Sequence, residues 1–290
     1  MPITFEDVSY VYDAGAPWEK RALRDINLRI EDGEFVGIVG PTGSGKSTLV
    51  QHLNGLLLPA SGRVVVGDIE VGADRRQMKK LRRKVGLVFQ YPEQQLFEET
   101  VRADIAFGPG NMDLDQDEID RRVEWACEAV GLEREVLERS PFELSGGQMR
   151  RAAIAGVLAM KCEVLALDEP TAGLDPRGRA AILRQLRALN RSGMTLIMVS
   201  HSIDDLAQLA DRIVVMWEGR IGMQGETREV FRHVEQLQAL SLDVPQIARI
   251  MLRLREAGLP VPTDVLTVDE AAEALAAVLR GGQTCCAGPA

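Results

Sequence analysis

Nine residues, GPTGSGKST from Gly40 to Thr48, carry the first recognisable chemistry in this chain. They fit G-x-x-x-x-G-K-[ST], set between the apolar run EFVGIVG and a helical stretch. Gly40, Gly43 and Gly45 let main-chain N–H groups turn inward toward phosphate oxygens, and Pro41, Thr42 and Ser44 complete the loop. The helix that starts there adds its own unsatisfied amides. Lys46 is placed to reach the β- and γ-phosphates of ATP, and the Ser47 hydroxyl to ligate Mg²⁺. A second piece is EVLALDEP. Asp168 ends an apolar strand, where its carboxylate would meet the metal, and Glu169 follows, where a carboxylate can orient and polarise an attacking water. A merely superficial acidic pair fits poorly here. Two charges at the end of a buried strand need a counter-ion, which Mg²⁺ supplies. His201 closes a third run, TLIMVSH, at hydrogen-bonding reach of a γ-phosphate or of the water. His52 and His233 lack such a setting and read as structural.

A second glycine motif, LSGGQ, has no lysine to hold a nucleotide of its own. Ser145 and Gln148 have capping-box spacing, and Gly146 and Gly147 leave the amides of a helix start uncovered. Such an end attracts an anion, yet the chain already has one phosphate loop. Two readings stand: an ordinary capped helix, or a helix start facing the γ-phosphate held by a second subunit.

The elements that must position these groups follow from periodicity. EFVGIVG, KVGLVF, EVLALD and TLIMVS are apolar runs of strand length, separated by helical stretches such as Arg177 to Asn190. The alternation predicts an α/β fold with a mostly parallel sheet, and ligands on such sheets bind beyond the carboxyl ends of the strands. Ile3 to Ile30 reads instead as antiparallel strands. After about Arg232 two short amphipathic helices are expected. The first carries Ile247, Ile250, Met251 and Leu254 and stops at Gly258 and Pro260; the second is opened by a Thr267–Glu270 capping box. The expected organisation is a nucleotide-binding domain over 1–232 with a helical subdomain near 91–160, an appendage over 233–280 and a flexible tail over 281–290.

A net charge of -9 in 290 residues argues against a general nucleic-acid binder. The basic run Arg75 to Lys84 reads as a solvated helix face. No apolar run approaches the ~20 residues that span a bilayer, and the acidic, strand-like N-terminus is no signal peptide. The expectation is a cytosolic chain or one held at a membrane by partners. Cys127, Cys162, Cys285 and Cys286 have no metal-ligand spacing. Cys127 and Cys162 are expected reduced, and the Cys285–Cys286 pair is read as part of the disordered end.

Taken together, GPTGSGKST, Gln90, LSGGQ, LALDEP, Gly173 to Asp175 and His201 stand in the order of an ABC-type ATPase, which this chain resembles over most of residues 3–230. The resemblance implies a P-loop NTPase fold and a head-to-tail dimer, with two ATP molecules sandwiched between phosphate loop and signature. On that pattern Ser145, Gly146, Gly147 and Gln148 serve the opposite site and Asp175 lies at the seam. Gln90 faces Mg²⁺ and the attacking water, and Tyr12 stacks on adenine, with Tyr10 as competitor. PEQQLFEETV, DIAFGP and the run from Asp243 to Ala271 are similar to the A subunits of energy-coupling-factor transporters. That implies an ATP hydrolase at the cytoplasmic face of the cell membrane, paired with an identical or related A subunit. Its transmembrane T subunit would be met through Leu96 and Phe97, and a separate S subunit would capture a vitamin or transition-metal ion. The alternatives are the ATPase of another ABC importer branch and a soluble ABC protein. The short separation of the two glycine motifs, without heptads, speaks against the coiled-coil type of the latter.

Overall fold

The computed structural model describes residues 1–283; the expectations for Cys285, Cys286 and the tail beyond Gln283 lie outside them. In chain order the elements are β1 (Ile3–Tyr12), β2 (Lys20–Ile30), β3 (Phe35–Val39), α1 (Lys46–His52), β4 (Ser61–Val66), β5 (Ile69–Glu70), α2 (Arg75–Lys84) and β6 (Val85–Val88). A one-turn 3-10 segment, Pro92–Gln95, leads into α3 (Val101–Gly110), α4 (Gln116–Val130) and α5 (Gly146–Leu158). Then come β7 (Val164–Asp168), α6 (Pro176–Arg191), β8 (Thr195–Val199), α7 (Ile203–Leu209), β9 (Arg212–Trp217) and β10 (Arg220–Glu226). Four helices close the described chain: α8 (Thr227–Arg232), α9 (Val234–Ala239), α10 (Gln246–Glu256) and α11 (Val268–Gln283).

Two sheets form. The antiparallel one has order β2-β1-β4-β5; the larger has order β10-β9-β3-β8-β7-β6, parallel except for β10 against β9. The larger sheet's five parallel strands are buried on both faces, which explains their unbroken apolar runs, whereas the edge strand β10 has no buried residue. Successive residues alternate between two cores. Phe35 and Val39, Leu165 and Leu167, and Leu196 and Met198 enter the core under α3–α7. Val36 and Ile38, Val164 and Ala166, and Ile197 and Val199 enter the one shared with the antiparallel sheet. The result is an α/β molecule built on a mostly parallel sheet, as the apolar runs predict.

Two packing details fix the helices nearest the chemistry. At Gly86 in β6 a Cβ would sit 2.5 Å from Val157 Cγ1 and 2.9 Å from Cys162 Sγ, so its absence lets α5 lie directly on the strand. Leu96 turns into the same core and is only 8% exposed, whereas Phe97 beside it is 60% exposed. Of the two residues expected to meet a partner, Phe97 stays exposed, whereas the Leu96 side chain is consumed by the chain's own packing. Cys127 and Cys162 are buried free thiols, each pushed up to about 11 by burial.

Helices α10 and α11 enclose a third, small cluster around Met251, Val261, Val265 and Ala271. Helix α10 ends at Glu256, ahead of Gly258 at φ +92°. The Thr267–Glu270 cap differs from the expected box. Glu270 N donates to Thr267 Oγ1 (3.3 Å), but the Glu270 carboxylate accepts from Leu266 N (3.0 Å) and pairs with Arg228. Arg232 adds an ion pair to Asp264 at 2.8 Å, tying the cassette to these helices.

Candidate active site

The strand order brings the sequence-selected groups into a row. Adjacent strands β3, β8, β7 and β6 lead at their carboxyl ends into the Gly40 loop, His201, Asp168–Glu169 and Gln90 respectively. Register levels them: Ile38 pairs with Val199, Asp168 with Val199, and Val88 with Leu167. Three strand spacings separate the first from the last, about 14 Å. That span accommodates a triphosphate and a water.

The loop itself is shaped by glycine. Gly40 has φ +154°, and a Cβ there would lie 2.3 Å from the Met216 carbonyl and 2.6 Å from Ser44 Oγ. Gly43 and Gly45 are also at positive φ, and a Cβ on Gly45 would meet the Ala22 carbonyl at 2.5 Å. Lys46 is buried, and its ammonium donates to the carbonyls of Gly40 (2.8 Å) and Pro41 (3.0 Å). Burial pulls its pKa down, against the attraction of Glu169 and Asp168. Ser47, Thr42 and Gly43 are exposed, whereas Thr48 is buried and lies 3.2 Å from the Tyr12 hydroxyl. Tyr10 is half-buried against the core, edge-on to Tyr12 and to the buried His52, whose Nδ1 meets the Thr48 carbonyl at 2.7 Å.

Glu169 leaves β7 in the left-handed region, φ +52°, with its N–H on the Val199 carbonyl at 2.9 Å. A non-glycine residue held there is strained by roughly 1–2 kcal/mol, and such outliers gather at working sites. Its carboxyl is pushed up to about 7, first by burial and then by the Asp168 charge, while the His201 main-chain N–H pulls the other way. The His201 ring stands with Nε2 3.6 Å from Glu169 Oε1, beyond hydrogen-bond length. Burial and the Lys46 charge lower the imidazole pKa against the attraction of Asp168, and this lowering favours the neutral ring. Two buried oxygens at this edge lack any hydrogen-bond partner, Glu169 Oε1 and Ser44 Oγ. A bound phosphate could accept from the Ser44 hydroxyl, and a water beside it could donate to Glu169 Oε1.

The signature stands apart. Ser145 Oγ accepts from Gln148 N (3.3 Å), and Gln148 Oε1 accepts from Ser145 N (3.0 Å), completing the capping box that opens α5. With Gly146, Gly147, Arg151 and Asp175 it lines a cleft of ≈ 490 Å³ that includes no residue of the phosphate loop. Asp175 caps α6 through Gly178 N (2.8 Å). Thus one chain assembles the Gly40 loop, Asp168, Glu169, His201 and Gln90 along one edge and sets Ser145–Gln148 with Asp175 on another surface.

Several residues that hold this edge escaped the motif reading. The loop after Glu169 is clamped from two sides. Thr171 Oγ1 donates to the buried Asp205 (3.1 Å), which also takes Arg179. Opposite, Arg150 of α5 donates to the carbonyls of Pro170 and Ala172 and pairs with Glu93. One signal was available: Arg150 falls at helical spacing with Ile154 and Leu158, on the stripe that α5 buries.

Comparison with known proteins agrees with this geometry. Residues 23–172 match the ABC transporter family model. The chain is 52% identical over 97% of its length to an energy-coupling factor transporter ATP-binding protein, EcfA2, of Caldanaerobacter subterraneus subsp. tengcongensis, covering 99% of that protein. Among solved structures it is similar to cbiO1 of Clostridium perfringens, part of the ABC transporter complex cbiONQ. The TM-score is 0.74 at 40% identity, covering 88% of this chain and 96% of that one. It is also similar to the dimeric ATP-binding cassette MJ0796 bound to ADP and Pi, with TM-score 0.70 and 30% identity, over 78% of this chain and 98% of that one. The chain belongs to the ABC transporter family, in its branch of energy-coupling-factor ATP-binding proteins. Its activity is that of an ATP-hydrolysing cassette.

Proposed function

We propose that this chain powers an energy-coupling-factor importer by closing on ATP against a second A subunit and reopening after hydrolysis. The observation that carries the reading is the row formed by β3, β8, β7 and β6, with phosphate loop, His201, Asp168–Glu169 and Gln90 at consecutive carboxyl ends. Lys46 and the loop amides of Gly40 to Thr48 bind the phosphates, and Tyr12 stacks on the adenine. Tyr12 is favoured over Tyr10 because its hydroxyl meets Thr48 of the phosphate loop at 3.2 Å, whereas Tyr10 packs against the core and the buried His52. Glu169, with a pKa near neutrality, accepts the proton of the attacking water; a base poised near pH 7 is best matched to that task. Neutral His201 orients the water or the γ-phosphate. The Ser47 hydroxyl, the Asp168 carboxylate and the Gln90 amide would hold Mg²⁺; all three are hard oxygen donors of the kind that ion takes alongside substrate phosphates. When bound, it neutralises charge on the transferring phosphoryl group.

Ser145, Gly146, Gly147 and Gln148 complete the site of the partner A subunit, with Asp175 at the seam. Their separation from the chain's own phosphate loop supports this division. Contacts made to the γ-phosphate from both subunits draw the dimer shut, and phosphate release removes them.

Phe97 meets the transmembrane T subunit. Its ring packs edge-on to Phe107 (centroids 5.0 Å), beside a groove of ≈ 220 Å³ that also takes in Gln95, Ala153 and Met160. Among the described residues no helix is long and apolar enough to cross a membrane. The proposed location is therefore the cytoplasmic face, held there through T, with a separate S subunit capturing a vitamin or transition-metal ion. Native mass spectrometry of the detergent-solubilised complex tests the assembly: one T subunit with an S subunit is expected, and two copies of an integrated permease would point to another importer branch. Phe97→Ser should weaken assembly with T about ten- to a hundredfold, the worth of a buried aromatic ring, with ATP binding unchanged. Unimpaired assembly would remove this contact from the reading.

A further inference from the structure

Arg150 is 3% exposed, on a helix face otherwise made of Ala152, Ile154, Ala155 and Leu158. A guanidinium cannot lose its charge there, so everything it touches matters. It makes a bidentate pair with Glu93, Nε to Oε2 at 3.1 Å and Nη2 to Oε1 at 2.9 Å. Its remaining nitrogen, Nη1, donates to the carbonyls of Pro170 (3.3 Å) and Ala172. One planar fork thus ties the signature helix that carries it to two other pieces of chain: the segment three residues beyond Gln90, and the loop that follows Glu169.

The connections on either side are stiff. Between Gln90 and Glu93 lie Tyr91, held at φ +56°, and Pro92, which starts the 3-10 turn with its φ fixed by the ring. Pro170 directly follows Glu169, and Thr171 is anchored on the far side by Asp205. A shift of the guanidinium therefore moves Gln90 and Glu169 together, with little slack at either end. An ordinary core ion pair would need only the carboxylate. The two carbonyls from the Glu169 loop are what make this a link between two catalytic elements.

We propose that Arg150 is a positioning residue for hydrolysis, which sets Gln90 and Glu169 in mutual register and ties that register to the signature helix. This rests on the roles given above to Gln90 and Glu169. Lysine cannot replace it, because a single ammonium does not reproduce the fork that meets Glu93 and both carbonyls at once.

The test uses the full chain with Glu93→Gln, Arg150→Lys and the double variant, measuring steady-state ATP hydrolysis and amide hydrogen exchange. Glu93→Gln keeps the shape and most of the hydrogen bonding, so it remains folded where removal of Arg150 fails to fold. Each single variant should lose about tenfold in kcat with KM for ATP within about twofold, the pattern of an interaction needed in the transition state rather than for binding. The double variant should be no worse than the worse single one. Exchange should rise jointly in segments 90–96 and 170–174 of Glu93→Gln. Wild-type kcat in the folded Glu93→Gln protein, or exchange rising in 90–96 alone, would overturn the proposal. Failure of the underlying reading is separately visible: Glu169→Gln would then hydrolyse ATP normally, whereas failure of this proposal leaves Glu169→Gln inactive and Glu93→Gln normal.

Discussion

Two glycine-rich helix starts in this molecule look alike in sequence and differ in what they lack. At Gly40–Lys46 the glycines are demanded by the chain itself: main-chain atoms crowd Gly40 and Gly45, and a lysine is buried beneath the loop. At Ser145–Gln148 nothing lies within 4 Å of a Cβ built on Gly146 or Gly147, and the capping box satisfies the turn without outside help. The first set of glycines serves folding and phosphate together. The second set opens α5 without being crowded by any part of this subunit, which leaves room for a group that arrives from outside. The contrast supports the proposed division of the site between subunits, and it can be attacked at several points.

The largest effect is expected for Glu169→Gln. Hydrolysis should fall by about 10²–10⁴-fold, the usual worth of a general base, while ATP is retained and the protein accumulates as a dimer in size-exclusion chromatography. A monomer under ATP would break the comparison at once, since the second glycine turn would then have no ligand. The same substitution should stabilise the ATP-free protein. With its carboxyl pushed up to about 7 when folded, against an ordinary value of 4.5, native protein binds more protons than unfolded protein between those limits. Stability therefore falls as pH rises from about 4.5 to about 7 and levels off above. Removing the charge should recover about 3 kcal/mol at pH 8 and nothing at pH 4, measured by urea unfolding at both.

Next come the glycines. Gly40→Ala should destabilise the isolated subunit by about 1–3 kcal/mol, because the methyl group meets a backbone carbonyl that has nowhere to go. Gly147→Ala should do the opposite, raising stability by roughly 0.5 kcal/mol through the unfolded chain. It should nevertheless cost about tenfold in hydrolysis, the scale of a small steric displacement at a packed phosphate. Thermal melts beside phosphate-release assays separate the two. If Gly147→Ala hydrolyses ATP normally, the turn is only a helix cap and the sharing of sites between subunits fails.

Much of this was readable before any coordinates. The Gly40 loop, Asp168, Glu169 and His201 announced themselves because strand-length apolar runs end just before them, and parallel strands put such ends on one edge. The direction of Leu96 and Phe97 was not readable. The alternation that sorts inside from outside in a strand has no counterpart in a 3-10 turn and its exit, where tertiary packing alone sends one side chain in and its neighbour out. Arg150 was half-legible. Its spacing with Ile154 and Leu158 marks it as inward-facing, but only long-range packing reveals Glu93 and the Pro170 and Ala172 carbonyls as its partners. Glu270 shows the reverse case, a local cap altered because Arg228, forty-two residues earlier, claims the same carboxylate.

The grip of Lys46 on the carbonyls of Gly40 and Pro41 carries one more consequence. Two of the three ammonium N–H donors are taken by neutral carbonyls, so a ligand that draws the ammonium to itself competes with them, and only an anionic oxygen makes a distinctly stronger bond. The loop is thereby a discriminator of charge: sugars or uncharged nucleosides of similar bulk gain nothing by displacing those carbonyls. The price of admission is a phosphate.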